Sequence, residues 1–190
     1  MEKKLQIYSP RNSFEIDWYL VTALVLWSLP FLFRFVKSIF PAYKEDFDLL
    51  LVFTAIIVFL YSLYFMTSNF FKCEVTNGKF NGNLIIDSEK ITCNTDVYTI
   101  YEIEKISILS DCFRGKFNGN TRAWERKKSS GVKNYIEITK KDGECKKYFF
   151  LQTKTENIGL FSDELRTYYR FGKLGEQNYK NIDDLANKSE

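Results

Sequence analysis

A chain of 190 residues with 27 basic and 24 acidic side chains carries a formal net charge of +3, a mildly basic balance that ranks nucleic-acid binding low. The complete absence of histidine removes His-based acid–base and nucleophilic catalysis, and nearly every common zinc or non-haem iron site. These averages merge two kinds of sequence: long apolar runs up to about Phe71, then short alternating runs rich in Lys, Asn, Glu and Ile from Lys72 onward.

Residues 1–17 read as an N-terminal tail, and residues 18–71 as two transmembrane helices with a short loop. A hydrocarbon core of ~30 Å needs roughly 20 apolar residues of helix. The second run, Leu49 to Phe71, has no charged residue and meets that need, predicting a helix over about 48–69. The first, Trp18 to Phe33, meets it over about 18–38 if Arg34 and Lys37 snorkel to the headgroups. Arg34 is the candidate for intramembrane pairing, with Asp46 or Asp48 across the hairpin or with a partner helix. Pro30 is expected to kink the first helix. The late start of the first run, acidic Glu15 and Asp17 before it, and the lack of a small-x-small cleavage site argue against a signal peptide. Lys3, Lys4, Arg11, Lys72 and Lys79, weighed against Arg34, Lys37 and Lys44, lean the following domain toward the cytoplasm.

Residues 72–171 read as one small soluble domain. Leu84 to Ile86 and Lys90 to Cys93 flank the turn-like Asp87-Ser88-Glu89 as a hairpin. Val97 to Ile100 and Lys105 to Leu109 are predicted strands on either side of a one-turn break. A long polar insert, Asp111 to Gly131, follows. Asn134 to Thr139 and Cys145 to Leu151 form a second hairpin through Lys141-Asp142-Gly143. A helix from about Lys154 to Arg170 is predicted by a capping box at Thr153 and Glu156 and by the stripe Ile158, Phe161, Leu165, Tyr168. Residues 172–190 read as a polar tail, with a short helix near Ile182 to Leu185. The fold class is therefore α+β: a two-helix transmembrane hairpin, then a small antiparallel sheet or partial barrel with a C-terminal capping helix.

The segments "NLIIDSEKITC", "YTIYEIEKISI" and "NYIEITKKDGECKKYFFLQ" with the terminal helix resemble the bacterial pleckstrin-homology-like (PH-like) domain over Asn83 to Phe171. A membrane hairpin ahead of such a domain is a common arrangement in that family. The resemblance implies a binding or scaffolding module without a known reaction, placed in the bacterial inner membrane as a multi-pass protein. No cofactor is implied.

The four cysteines, Cys73, Cys93, Cys112 and Cys145, are widely spaced and form no CxxC. Reduced thiols are the simpler reading, with one disulfide left open. Gly-Lys-Phe-Asn-Gly-Asn occurs at Gly78 to Asn83 and again at Gly115 to Asn120, and both copies read as turns because Gly and Asn tolerate positive φ. Arg114, Lys116, Arg122, Arg126, Lys127, Lys128 and Lys133, with Trp124 among them, form a candidate surface for anionic phospholipid or an acidic partner. A solvated, mobile loop is the bland reading of the same charges. The expected function is a membrane-anchored, non-enzymatic module that presents its domain to a protein partner or to anionic headgroups. A membrane-protein partner or a homo-oligomer is compatible with the aromatic helices. The alternative is an immunity- or stress-related membrane protein that neutralises a toxin or effector.

Overall fold

Leu5 and Ile7 flank Gln6 at the spacing that places both on one face of a strand, and Leu5–Pro10 forms β1. The computed structural model describes residues 3–11, 18–39, 44–119 and 125–187. Six further strands follow: β2 Gly78–Ile86, β3 Lys90–Cys93, β4 Asp96–Thr99, β5 Ile103–Leu109, β6 Asn134–Lys140 and β7 Cys145–Phe150. They form one antiparallel sheet in the order β4-β3-β2-β1-β7-β6-β5. β1 thus lies in the middle, with Leu5 opposite Leu84, Pro10 opposite Gly78 and Ile7 opposite Phe150. Within the stretch read as an N-terminal tail, Leu5–Pro10 is a central strand, and the unit that holds the sheet is discontinuous, comprising residues 1–12, 73–119 and 127–190. Leu5 and Ile7 are buried, and their pairing partners lie far along the chain, beyond the reach of local pattern.

Pairing with β1 also decides the first Gly-Lys-Phe-Asn-Gly-Asn copy. It is the opening of β2 and not a free turn. Gly82, at φ +84, takes up the shift of register between Gln6 and Tyr8 as a bulge. The Tyr8 and Phe80 rings pack across this pair at 5.5 Å.

β4 and β5 are the two edges of the sheet, yet only residues 100–102 join them. Seven flat strands would spread over about 29 Å, whereas that link reaches at most about 14 Å. The sheet must therefore roll. Contacts between non-neighbouring strands agree: the Tyr148 hydroxyl on β7 donates to Asp96 Oδ2 on β4 at 2.5 Å, and Lys146 Nζ lies 3.3 Å from the same oxygen. No ladder joins β4 to β5, so the rolled sheet stays open.

Its hollow is filled by the helical segment after β7. Ile158, Phe161, Leu165 and Tyr168 are all fully buried against the strands, and the Tyr168 hydroxyl donates to Asp87 O at 2.9 Å. The helix starts later than the capping box predicts. Glu156 N does donate to Thr153 Oγ1 at 2.9 Å, but Ile158 N is taken by the buried Gln152 side chain at 2.9 Å. The segment therefore begins as a 3-10 turn, Ile158–Phe161, capped by Asn157, and continues as α3, Ser162–Arg170. Two helices, α1 (Trp18–Ile39) and α2 (Lys44–Phe71), come earlier in the chain.

The segment read as a polar tail is also ordered. Glu176–Asn187 forms α4, with Ile182 buried and Tyr179 stacked on Tyr169 at 5.0 Å. It and its linker cover the β5 edge: Ile106 N donates to Lys173 O at 2.7 Å and Ile108 N to Asn178 Oδ1 at 2.8 Å. An open edge is a template for unwanted pairing, and this cover removes it.

The second unit holds α1, Trp18–Ile39, and α2, Lys44–Phe71. At 1.5 Å per residue they are about 33 and 42 Å long. Both are long and apolar enough to cross a bilayer, and 0 % and 11 % of their most apolar windows are buried. α1 runs through Pro30 as one helix. Lys37, not Arg34, takes Asp48 across the hairpin, because it lies nearer the turn. Arg34 is exposed and makes no ion pair among the described residues; the Asp46 side chain lies outside them. The Trp27 indole donates to Ser62 Oγ between the helices at 3.1 Å.

Leu5→Ala should destabilise the full-length protein by about 2–5 kcal/mol, the usual cost of a cavity in a closed core. Gln6→Ala, whose side chain points outward, should leave stability within about 0.5 kcal/mol of wild type. Thermal melts in mild detergent compare the two, and an unaffected Leu5→Ala protein would remove β1 from the sheet.

Candidate functional site

Two regions of the unit that holds the sheet gather polar and charged side chains. The first is an open cleft of about 560 Å³ at the seam of the rolled sheet, lined by Asp96, Tyr98, Glu102, Lys140, Asp142 and Lys146 among others. Rolling brings β4 against the β6–β7 hairpin, which is why no local motif announces this site.

Lys146 pairs with Asp96 and Lys140 with Asp142, while Glu102 accepts from the Thr99 N–H. The Tyr148 hydroxyl, and then Lys146, hold the Asp96 carboxyl below its usual range. Glu102 is lowered by the Thr99 N–H, Asp142 by the Glu144 N–H, and Glu144 by Lys140. Lys140 is raised by Glu144, and Lys146 by Asp96. Burial raises Tyr98 and Tyr148, the latter also through its bond to Asp96. Beneath them, burial and then Asp96 push the Cys93 thiol up to about 12. Acid–base catalysis needs a group poised near the working pH, and a reactive cysteine needs a lowered pKa. Every shift here runs the other way. The shifted groups of the cleft therefore keep their ordinary charge states at neutral pH.

The second region is the insert between β5 and β6. Its two sides pair as a stem, with Ser129 N donating to Lys116 O at 2.8 Å and Asn118 N to Lys127 O at 2.7 Å. The stem is clamped to the sheet. Buried Asn134 donates to Cys112 O at 2.6 Å and to Gly131 O at 2.7 Å, while Arg114 N donates to Gln152 O at 2.8 Å. Gly131, at φ +79, sits so close that a Cβ would lie 2.5 Å from Gln152 O and 2.6 Å from Arg114 N. The base of the insert is therefore fixed in place, against the reading of a wholly mobile loop.

The stem also binds the segment that follows α2. Cys73 bridges Lys128, and Glu74 N donates to Lys128 O at 2.7 Å. Glu74 Oε1 accepts from Lys133 Nζ at 2.8 Å and from Asn118 Nδ2 at 3.1 Å. Of the basic candidates, Lys127, Lys128 and Lys133 are thus brought to one place. Arg114 and Lys116 are exposed at the base, with Lys116 Nζ donating to Asp111 O at 2.6 Å. Arg126 falls with the other unit, and Arg122 and Trp124 lie outside the described residues.

None of the four cysteines is paired in a disulfide with another; Cys93 is buried and Cys145 exposed. Among the described residues no group of three or more His, Cys, Asp or Glu side chains is arranged to hold a metal. No protein-family model, curated protein or solved structure matches this chain.

The lowered Asp96 carboxyl contributes stability that is present above its ordinary value of 3.8 and is lost as pH falls through its lower value in the fold. Asp96→Asn should therefore weaken the protein at pH 7 and flatten its loss of stability on acidification. Glu102, Asp142 and Glu144 keep their share of that loss. Melting temperatures between pH 7 and about pH 3 read this directly.

Proposed function

We propose that this chain is a membrane-anchored, non-enzymatic binding module, in which a two-helix hairpin holds a PH-like domain against one leaflet of the bacterial inner membrane. One observation carries the reading. The apolar side chains of α1 and α2 stand exposed along the helices, Phe31 at 76 % and Phe59 at 62 % for example. Helices built for a soluble core would bury one face.

The hydroxyls within these helices support the same environment. Ser28, Ser38, Thr54, Ser62 and Thr67 each donate to a carbonyl three or four residues earlier in their own helix. A hydroxyl in hydrocarbon must find its partner within the helix or nearby. The position of β1 argues against a cleaved leader, since removal of α1 with what precedes it would take a central strand from the sheet. It also argues for a hairpin. β1 and β2 pair directly, so both must lie in the same compartment, which requires an even number of crossings between them. The basic residues Lys3, Lys4, Arg11, Lys72 and Lys79 favour the cytoplasm for that compartment.

For the domain, the seven antiparallel strands and the terminal helical segment filling their hollow support the PH-like comparison. A cleft whose shifted groups keep their ordinary charge states at neutral pH favours binding over catalysis. Tags placed at the two termini test the anchor. In inverted inner-membrane vesicles a protease should remove both, in intact spheroplasts neither, and the protein should resist carbonate extraction. Tags on opposite sides, or release by carbonate, would end the hairpin reading.

A further inference from the structure

Where the chain leaves β1 for the hairpin and returns to β2, large apolar side chains stand exposed among cations. Val75, Phe80 and Phe117 are 51 %, 47 % and 51 % exposed. Short links tie them to one region. Phe117 bridges Lys128, which bridges Cys73; Val75 lines a hollow with Tyr8 and Pro10; and Tyr8 packs on Phe80. Arg11, Lys79 and Lys116 are exposed and adjoin Pro10, Phe80 and Phe117 in the chain. The nearby carboxylate Glu74 is already engaged by Lys133 and Asn118.

Single exposed apolar residues need no explanation in a soluble domain. Three of them interleaved with cations, beginning four residues after the last residue of α2, Phe71, are a different matter. The headgroup layer accepts rings with one side apolar and one side wet, and its anionic phosphates attract Lys and Arg.

We propose that this patch docks onto the headgroup layer of an anionic bilayer, with Phe80 and Phe117 entering the interface and Arg11, Lys79 and Lys116 meeting lipid phosphates. The inference rests on the anchored reading and adds to it. The hairpin tethers the domain, and the patch fixes which side of the domain faces the lipid. The cleft at the sheet seam takes no part in this contact.

Full-length protein in nanodiscs with brominated acyl chains tests it through single-tryptophan versions. One carries Phe117→Trp with Trp18, Trp27 and Trp124 replaced by Phe; a second carries Phe80→Trp in the same background. A third retains only Trp27, inside α1. In discs of phosphatidylcholine with phosphatidylglycerol, both domain reporters should be quenched at least about twofold more than in phosphatidylcholine alone. Added salt, or Lys79→Glu with Lys116→Glu, should reverse that difference. Equal quenching in both lipids, or none, while Trp27 is quenched, overturns the docking proposal and leaves the anchor standing. An unquenched Trp27 removes the anchor itself, and the proposal with it.

Discussion

Everything in this fold depends on β1 meeting β2 across an insertion about 60 residues long. Pro10 faces Gly78 and Arg11 N donates to Asn77 O at 2.7 Å, so the chain leaving β1 and the chain entering β2 lie side by side. Bringing such distant residues together costs loop-closure entropy, though that cost grows only slowly with length. Burial of Leu5 and Ile7 and the five-pair ladder to β2 offset it. On its other side β1 pairs with β7 through only two residue pairs, Ile7 with Phe150 and Tyr8 with Phe149. The two halves of the sheet are therefore joined through a single short strand, and the roll of the sheet turns about it.

The rolled sheet has consequences for charge. It places Asp96 against Lys146 and Tyr148, residues 50 and 52 positions away, while the β6–β7 turn by itself sets Lys140 beside Asp142 and Glu144. Most of these pairs are solvent-accessible, and exposed ion pairs contribute little to stability individually. Their effect is to hold carboxylates ionised and lysines protonated on either side of neutral pH. A seam built this way keeps its charges fixed in sign around neutral pH.

Much of the architecture was legible in the sequence wherever the signal was local. β3, β6 and β7 follow alternation and the Asp-Gly turn, and the stripe from Ile158 to Tyr168 is buried as its spacing demands. The failures share a cause. β1 offers only Leu5, Ile7 and Tyr8 as apolar positions, and its identity as a strand comes from partners beyond the hairpin. α4 has a sparse stripe of Tyr179, Ile182 and Leu185, and becomes a covering helix because the β5 edge needs one. The first Gly-Lys-Phe-Asn-Gly-Asn copy has turn composition but is drawn into β2 by β1. For the candidate site, the cation excess was visible in the sequence. The clamp by Asn134 and Gln152, and the exposed Phe80 and Phe117 nearby, were not, because side-chain contacts between distant loops leave no periodic trace.

The central position of β1 also governs how the molecule can be made. During synthesis this strand is finished first and must remain unpaired while the next 60 or so residues, the whole hairpin, are produced. Its pairing sites on β2 and β7 appear only afterwards, β7 last of the seven strands. The sheet thus cannot close before both helices have been synthesised, so their completion and the closure of the sheet are ordered in time by chain connectivity alone. A fragment beginning after the hairpin would carry six of the seven strands and a gap in the middle. The same strand supplied as a separate peptide is the piece that would restore it.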